Sequence, residues 1–166
     1  MSVVVDTSAL FALLDRRDAH HASAVAFWTD ADDEDLVTHA YVVVETIALV
    51  RSRLGVAAVA ALVNDLLPAI GVEMADRPLH EASLADLRPI GGGTSLVDRV
   101  TLAFAARHGI GRAFAYDAGL AVAGLAGHDG ILRALLELSR VRGFCRAHGT
   151  PSWAARTPGH VRMRDL

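Results

Sequence analysis

The chain has 166 residues, 52% hydrophobic and only 5% aromatic, which suits one domain with a core of Ala, Val and Leu. Its 16 basic residues are all Arg. Without Lys there is neither a P-loop, whose Lys sits on phosphate, nor Schiff-base chemistry. The formal net charge of −3 is unevenly spread: residues 1–128 hold 16 acids against 9 Arg, residues 129–166 hold 3 acids against 7 Arg. An acidic body with a basic end suggests that the end meets something anionic.

The start Met1-Ser2-Val3-Val4-Val5-Asp6 lacks a basic n-region and has too short an apolar run for a signal peptide. The richest apolar stretch, Val56 to Val72, is broken by Asn64, Asp65 and Pro68, so no spanning helix is predicted. Cys145 stands alone, so no internal disulfide forms. A soluble, cytoplasmic protein is expected.

In chain order, Val3 to Val5 reads as a short buried strand, and Asp6-Thr7-Ser8 supplies cap chemistry for a helix over Ala9 to Asp15. Asp18 is expected to cap a second helix from Ala19 to about Ala31, and Asp30 to Asp35 to turn. Leu36 to Thr38 is a second strand, His39 to Leu54 a helix ended by Gly55, and Val56 to Leu67 another helix stopped by Pro68. Ile70 to Met74 is a third strand, Pro78 to Leu87 a helix, and Pro89 to Gly93 a loop. Ser95 opens a helix through His108, Gly109 closes it, and Arg112 to Tyr116 is a fourth strand ending at Asp117. Strands alternating with helices imply an α/β fold: a mainly parallel sheet of four to five strands covered on both faces. Ligands then bind beyond the carboxyl ends of the strands, where Asp6 and Asp117 sit. No Gly-x-Gly-x-x-Gly follows the first strand, which speaks against a dinucleotide site.

Four acids stand in apolar surroundings: Asp6 after Val3-Val4-Val5, Glu45 within Tyr41 to Val50, Asp98 after Ser95-Leu96-Val97, and Asp117 after Ala113 to Tyr116. Isolated carboxylates in such places carry a large desolvation cost, and convergence on a hard divalent cation such as Mg²⁺ or Mn²⁺ removes it. Each acid also has a plainer reading. Asp6 and Asp117 are placed to cap the helices that follow, and Ser95-x-x-Asp98 fits a capping box. Glu45 has no evident solvated face, and its plain alternative is an ion pair with Arg51 or Arg99. Thr7 and Ser95 are candidates to hydrogen-bond a carboxylate or a phosphate. His20 and His21 diverge by about 100° on a helix and make no metal pair. Trp28 and Trp153 could stack bases, though packing explains a lone Trp as well.

The segments Val3-Val4-Val5-Asp6-Thr7-Ser8-Ala9-Leu10, Thr38 to Glu45, Thr94-Ser95-Leu96-Val97-Asp98, Ala103 to Ile110 and Phe114-Ala115-Tyr116-Asp117 together resemble a PIN-domain nuclease. The order Asp, Glu, Asp, Asp and the element carrying each are similar to that family. The length and Asp15-x-x-Asp18-x-x-His21 resemble its VapC-type toxins, which are Mg²⁺-dependent ribonucleases paired with an antitoxin. The resemblance implies a PIN-like α/β/α sandwich over residues 1–127 and an endoribonuclease toxin of a toxin–antitoxin pair. It implies metal ligation and catalysis by Asp6, Asp98, Glu45 and Asp117, with Mg²⁺ or Mn²⁺ as cofactor. RNA is the implied substrate, with DNA a weaker alternative. A cognate antitoxin and a second copy of the chain are the implied partners, with no membrane. The competing class is a non-catalytic PIN-like module that binds RNA or protein. Two other families place an Asp after the first strand, the haloacid-dehalogenase-like phosphatases and the response regulators. Both normally use a Lys near the phosphoryl group, which this chain lacks.

Two features depart from the family. Leu120 stands three residues after Asp117, where an aromatic is common, and about forty residues follow where the family usually ends. Residues 128–166 are read as a basic helix with an irregular tail. Ile131, Leu132, Leu135, Leu136, Leu138 and Val141 form an apolar stripe, and Arg133, Arg140, Arg142 and Arg146 share that helix. The arginines fit a solvated face, contacts to phosphate, or a side chain reaching the acidic pocket as an antitoxin Arg does.

Overall fold

The computed structural model describes residues 1–87, 95–117 and 120. Strand β1 (Ser2–Val5) runs between two parallel neighbours, β2 (Asp35–His39) and β4 (Ala113–Phe114). A third strand, β3 (Gly71–Glu73), pairs with the far side of β2, giving the order β3-β2-β1-β4, parallel throughout. The expected four- to five-stranded sheet therefore has four strands among the described residues. Val4 anchors the register, opposite Val37 on one side and Ala113 on the other.

Strand alternation sends successive side chains to opposite faces. Val3, Val5 and Leu36 join one core with Leu10, Phe27 and Leu62. Val4 and Val37 join another with Leu79, Val100 and Phe104. The first core is closed by α1 (Thr7–Leu14), α2 (His21–Asp30), α3 (Ala40–Arg53) and α4 (Val56–Ala61). The second is closed by α5 (Arg77–Leu87) and α6 (Leu96–His108). A sheet with helices on both faces is the α/β/α sandwich expected from the sequence. Leu120 is buried in the second core, so the leucine that departs from the family aromatic serves packing there.

Several boundaries differ from the sequence reading. The second helix begins at His21, with His20 as its N-terminal flank; Asp18 instead turns the preceding loop by accepting from the His20 amide at 2.8 Å. The segment expected as one helix to Leu67 changes winding. The α-helix stops at Ala61, a π turn covers Leu62–Leu66, and a 3₁₀ turn over Leu67–Ala69 contains Pro68. Proline lacks the N–H and crowds the preceding turn, so the helix rewinds before reaching it. The expected turn after α2 includes a 3₁₀ turn, Ala31–Asp33. Strand β4 is shorter than Arg112 to Tyr116 for a reason given below. The Pro89 to Gly93 loop, the basic helix and tail of 128–166, and Trp153 lie outside the described residues. Trp28 is buried in the first core, which favours its packing role. Among the described residues no helix is long and apolar enough to cross a membrane.

At the end of β2, His39 is fully buried. Its Nε2 lies 2.9 Å from Thr101 Oγ1, while the Thr101 hydroxyl donates to the Val97 carbonyl at 2.9 Å. That hydroxyl must therefore accept from His39, which fixes the Nε2–H tautomer. Nδ1 is buried with no hydrogen-bond partner, and the ring packs 5.6 Å from Phe104. A proton on Nδ1 would be a buried, unsatisfied charge, and burial pushes the pKa of His39 down to about 4.

Candidate active site

Asp6 follows the last residue of β1 and is the N-cap of α1, as its sequence position predicts. Its Oδ2 accepts from the Ser8 amide at 2.9 Å and from the Ser8 hydroxyl at 2.6 Å. Only 4% of Asp6 is exposed, more burial than a surface cap requires. Desolvation raises its pKa, with a further push from Asp98, against lowering hydrogen bonds from Ser8 and Thr7.

Glu45 lies in the second turn of α3. Neither Arg51 nor Arg99 pairs with it; its Oε2 accepts from Thr7 Oγ1 at 2.5 Å. Thr46, also fully buried, donates to the same Thr7 hydroxyl at 3.3 Å. Two threonines thus fasten α3 to the start of α1 and hold the Glu45 carboxyl beside Asp6. Burial raises the pKa of Glu45, and Asp6, Asp98 and Asp117 each raise it further by repulsion. The other three predicted acids therefore lie within electrostatic reach of the Glu45 carboxyl group.

Asp98 realises the capping box read from the sequence. Ser95 Oγ accepts from the Asp98 amide at 3.1 Å, and the Ser95 amide donates to Asp98 Oδ2 at 2.7 Å. Capping and an acidic cluster coexist here, since the box holds Asp98 in the first turn of α6. Ser95→Ala is expected to lower stability by about 1 kcal/mol through loss of the cap. The Ser95 amide remains in that variant to orient Asp98 Oδ2. Urea midpoints of wild type and variant check the loss.

Asp117 lies exposed, three residues beyond β4. Strands β1 and β4 pair through Val5 and Phe114, and the Asp6 amide continues the ladder to the Phe114 carbonyl at 3.0 Å. The ladder then stops, because the Tyr116 amide donates to Ser8 Oγ at 2.9 Å. This is why β4 is shorter than predicted, and it ties the segment bearing Asp117 to the one bearing Asp6. Ser8 was read from the sequence only as cap chemistry. Its second bond, to a residue 108 positions away, has no local signal. The helix start at Ala118 that Asp117 is expected to cap lies outside the described residues.

The arrangement gathers negative charge and compensates little of it. Among the described residues, no arginine forms a salt bridge with Asp6, Glu45 or Asp98. Raised carboxyl pKa values and an all-oxygen donor set suit a hard divalent cation. Among the described residues no three His, Cys, Asp or Glu side chains form a group that could hold a metal ion. Mg²⁺ does not require three, since it keeps several waters and binds through one or two carboxylates. The donor chemistry of these carboxylates, rather than a completed site, fits such an ion. The histidines do other work: His20 stacks on Tyr116, and His21 Nδ1 lies 2.7 Å from the Ala12 carbonyl.

A family model described as the PIN domain matches residues 3–125. Among solved structures, the chain is similar to VapC20 of Mycobacterium tuberculosis, described as a sarcin-ricin loop cleaving toxin. The identity is 30%, the match covers 75% of this chain and 96% of that one, and the TM-score is 0.67. Among curated proteins none matches. The family match spans most of the chain and takes in every element that carries one of the four acids, so the chain belongs to the PIN-domain family, in its VapC type.

Proposed function

We propose that this protein is a divalent-cation-dependent endoribonuclease and the toxin of a toxin–antitoxin pair, with Asp6, Glu45, Asp98 and Asp117 as its catalytic acids. The observation that supports the proposal is the electrostatic influence of Asp6, Asp98 and Asp117 on Glu45, carboxylates from separate stretches of the chain. The likeness to a toxin that cleaves an RNA loop supports RNA over DNA. It also supports an antitoxin as partner, and a second copy of the chain is proposed beside it.

Asp6 and Asp98 are the residues that would hold Mg²⁺ or Mn²⁺, because a strand end and a capped helix start position them rigidly. When bound, the ion supplies a more acidic attacking water and neutralises charge on the phosphate. Glu45 is longer and already held by Thr7, which suits it to orient the water and receive its proton. Asp117, exposed at the rim, adds negative charge where the substrate enters.

Cleavage of RNA by the purified chain with MnCl₂, abolished by EDTA, is the expected result. Cation-independent cleavage would refute the metal assignment. Binding of RNA without cleavage would favour the non-catalytic module, and equal cleavage of DNA would refute the RNA assignment. The melting temperature should rise with MgCl₂ or MnCl₂ and fall back with EDTA, since an ion bound only by the folded state stabilises it. That rise should shrink in Glu45→Gln, as measured by differential scanning calorimetry.

A further inference from the structure

Beside the four acids, two rings form a stacked pair that the chemistry above does not use. The His20 and Tyr116 rings lie nearly parallel, with centroids 4.4 Å apart and planes 15° from coplanar. Tyr116 directly precedes Asp117, and its amide bonds to Ser8, the residue that bonds to Asp6. The pair is thus tethered to the acidic edge by two consecutive hydrogen bonds.

Each ring is held in place. The Tyr116 hydroxyl donates to Ser23 Oγ at 3.1 Å, and its ring meets Phe114 edge-on at 6.0 Å. The loop carrying His20 is wound around Asp18, which accepts from the His20 amide through its side chain and from the His21 amide through its carbonyl. Tyr116 is half-buried whereas His20 is exposed. One face of the imidazole therefore rests on tyrosine and the other is turned to solvent. A surface histidine needs no such backing. A flat ring, supported from behind and fixed at the edge of a nuclease pocket, has the form of a platform for another flat ring.

We propose that His20, backed by Tyr116, is the stacking platform for one unpaired nucleobase of the RNA, next to the phosphate that is cut. The inference deepens the nuclease reading and rests on it. Stacking is available to every base but requires the base to be unstacked from its neighbours. The platform therefore selects single-stranded loops over duplex and reads structure rather than sequence. His20 is a positioning residue: it holds the nucleotide and leaves the bond-breaking to the acids.

The test uses the full chain and a single-stranded RNA dodecamer carrying one 2-aminopurine, bound in EDTA so that no cleavage occurs. Wild type should quench the fluorophore. His20→Ala should lose the quench and weaken binding by roughly 5- to 100-fold, with KM raised and kcat nearly unchanged when MnCl₂ is restored. His20→Phe, which keeps a flat ring without imidazole nitrogens, should restore both. Three results would overturn the proposal: unchanged quench and affinity in His20→Ala, a His20→Phe variant as defective as His20→Ala, or equal affinity for the same sequence as a duplex. The nuclease reading fails separately. If wild type quenches but never cuts, the nuclease reading fails and the placement beside a cut phosphate fails with it, leaving only base stacking on His20. If wild type cuts but never quenches, the platform alone is wrong.

Discussion

Asp6→Asn is expected to abolish cleavage while leaving the protein at least as stable as before. A metal-supported phosphoryl transfer draws several kcal/mol from charge stabilisation, so loss of a principal ligand should cost about 10³-fold or more in kcat. The fold has the opposite interest. Asp6 is almost fully buried, and its pKa is raised by desolvation and by Asp98. The neutral amide removes that strain and still caps α1, since Asn caps about as well as Asp. In EDTA the variant should melt at the same temperature or higher, and the stabilisation by MgCl₂ should disappear. An active Asp6→Asn enzyme would end the proposed assignment. A loss of activity accompanied by unfolding would show that Asp6 is a structural cap first. Stability given up for function is common where like charges are gathered for a task.

The second large effect concerns acid. The pKa of His39 in the folded protein is about 4, against an ordinary value of 6.5. The unfolded chain therefore binds a proton that the folded one refuses. The stability this contributes is fully present above the unfolded pKa and is lost as pH falls towards 4. At 1.36 kcal/mol per unit, the full loss is about 3 kcal/mol, of which about 2 kcal/mol should appear between pH 7 and pH 5. His108, whose pKa is also lowered by burial, acts in the same direction. Asp6 and Glu45 act oppositely: burial raises their pKa values, so their protonation begins above the ordinary carboxylate range, favours the folded state and offsets part of this loss. Guanidinium midpoints at pH 7 and pH 5 measure the effect. His39→Gln, which does not titrate, should flatten most of it. An unchanged slope in that variant would mean that acid acts elsewhere.

The parts of this fold that were legible in the sequence are those with local causes. Val3 to Val5 announces a strand because three branched apolar residues in a row suit a position covered on both faces. Ser95 and Asp98 announce a helix start because the box that joins them closes within four residues. The four acids were legible because each interrupts an apolar run. The features that were missed depend on distant partners. Leu62 to Leu66 rewinds as a π turn in a stretch whose periodicity reads as unbroken helix until Pro68. The Glu45 hydrogen bond to Thr7 joins residues 38 apart, and nothing around Glu45 favours a threonine over an arginine as its partner. His39 reads from the sequence as the first residue of a helix, whereas it ends β2 and flanks α3. Its burial is set by Thr101 and Phe104, which arrive from another helix.

The pocket is stitched across the whole order of synthesis. Its first acid emerges from the ribosome at position 6 and its last at position 117, and the bond that draws the two segments together, from Tyr116 to Ser8, spans 108 positions. Among the described residues strand β4 is also the last to be made, and it takes its place against β1, the first. A growing chain thus carries three of the acids without the fourth, and without the strand that brings it alongside the others. By this geometry the four acids come together only once residue 117 has been made and β4 has paired with β1.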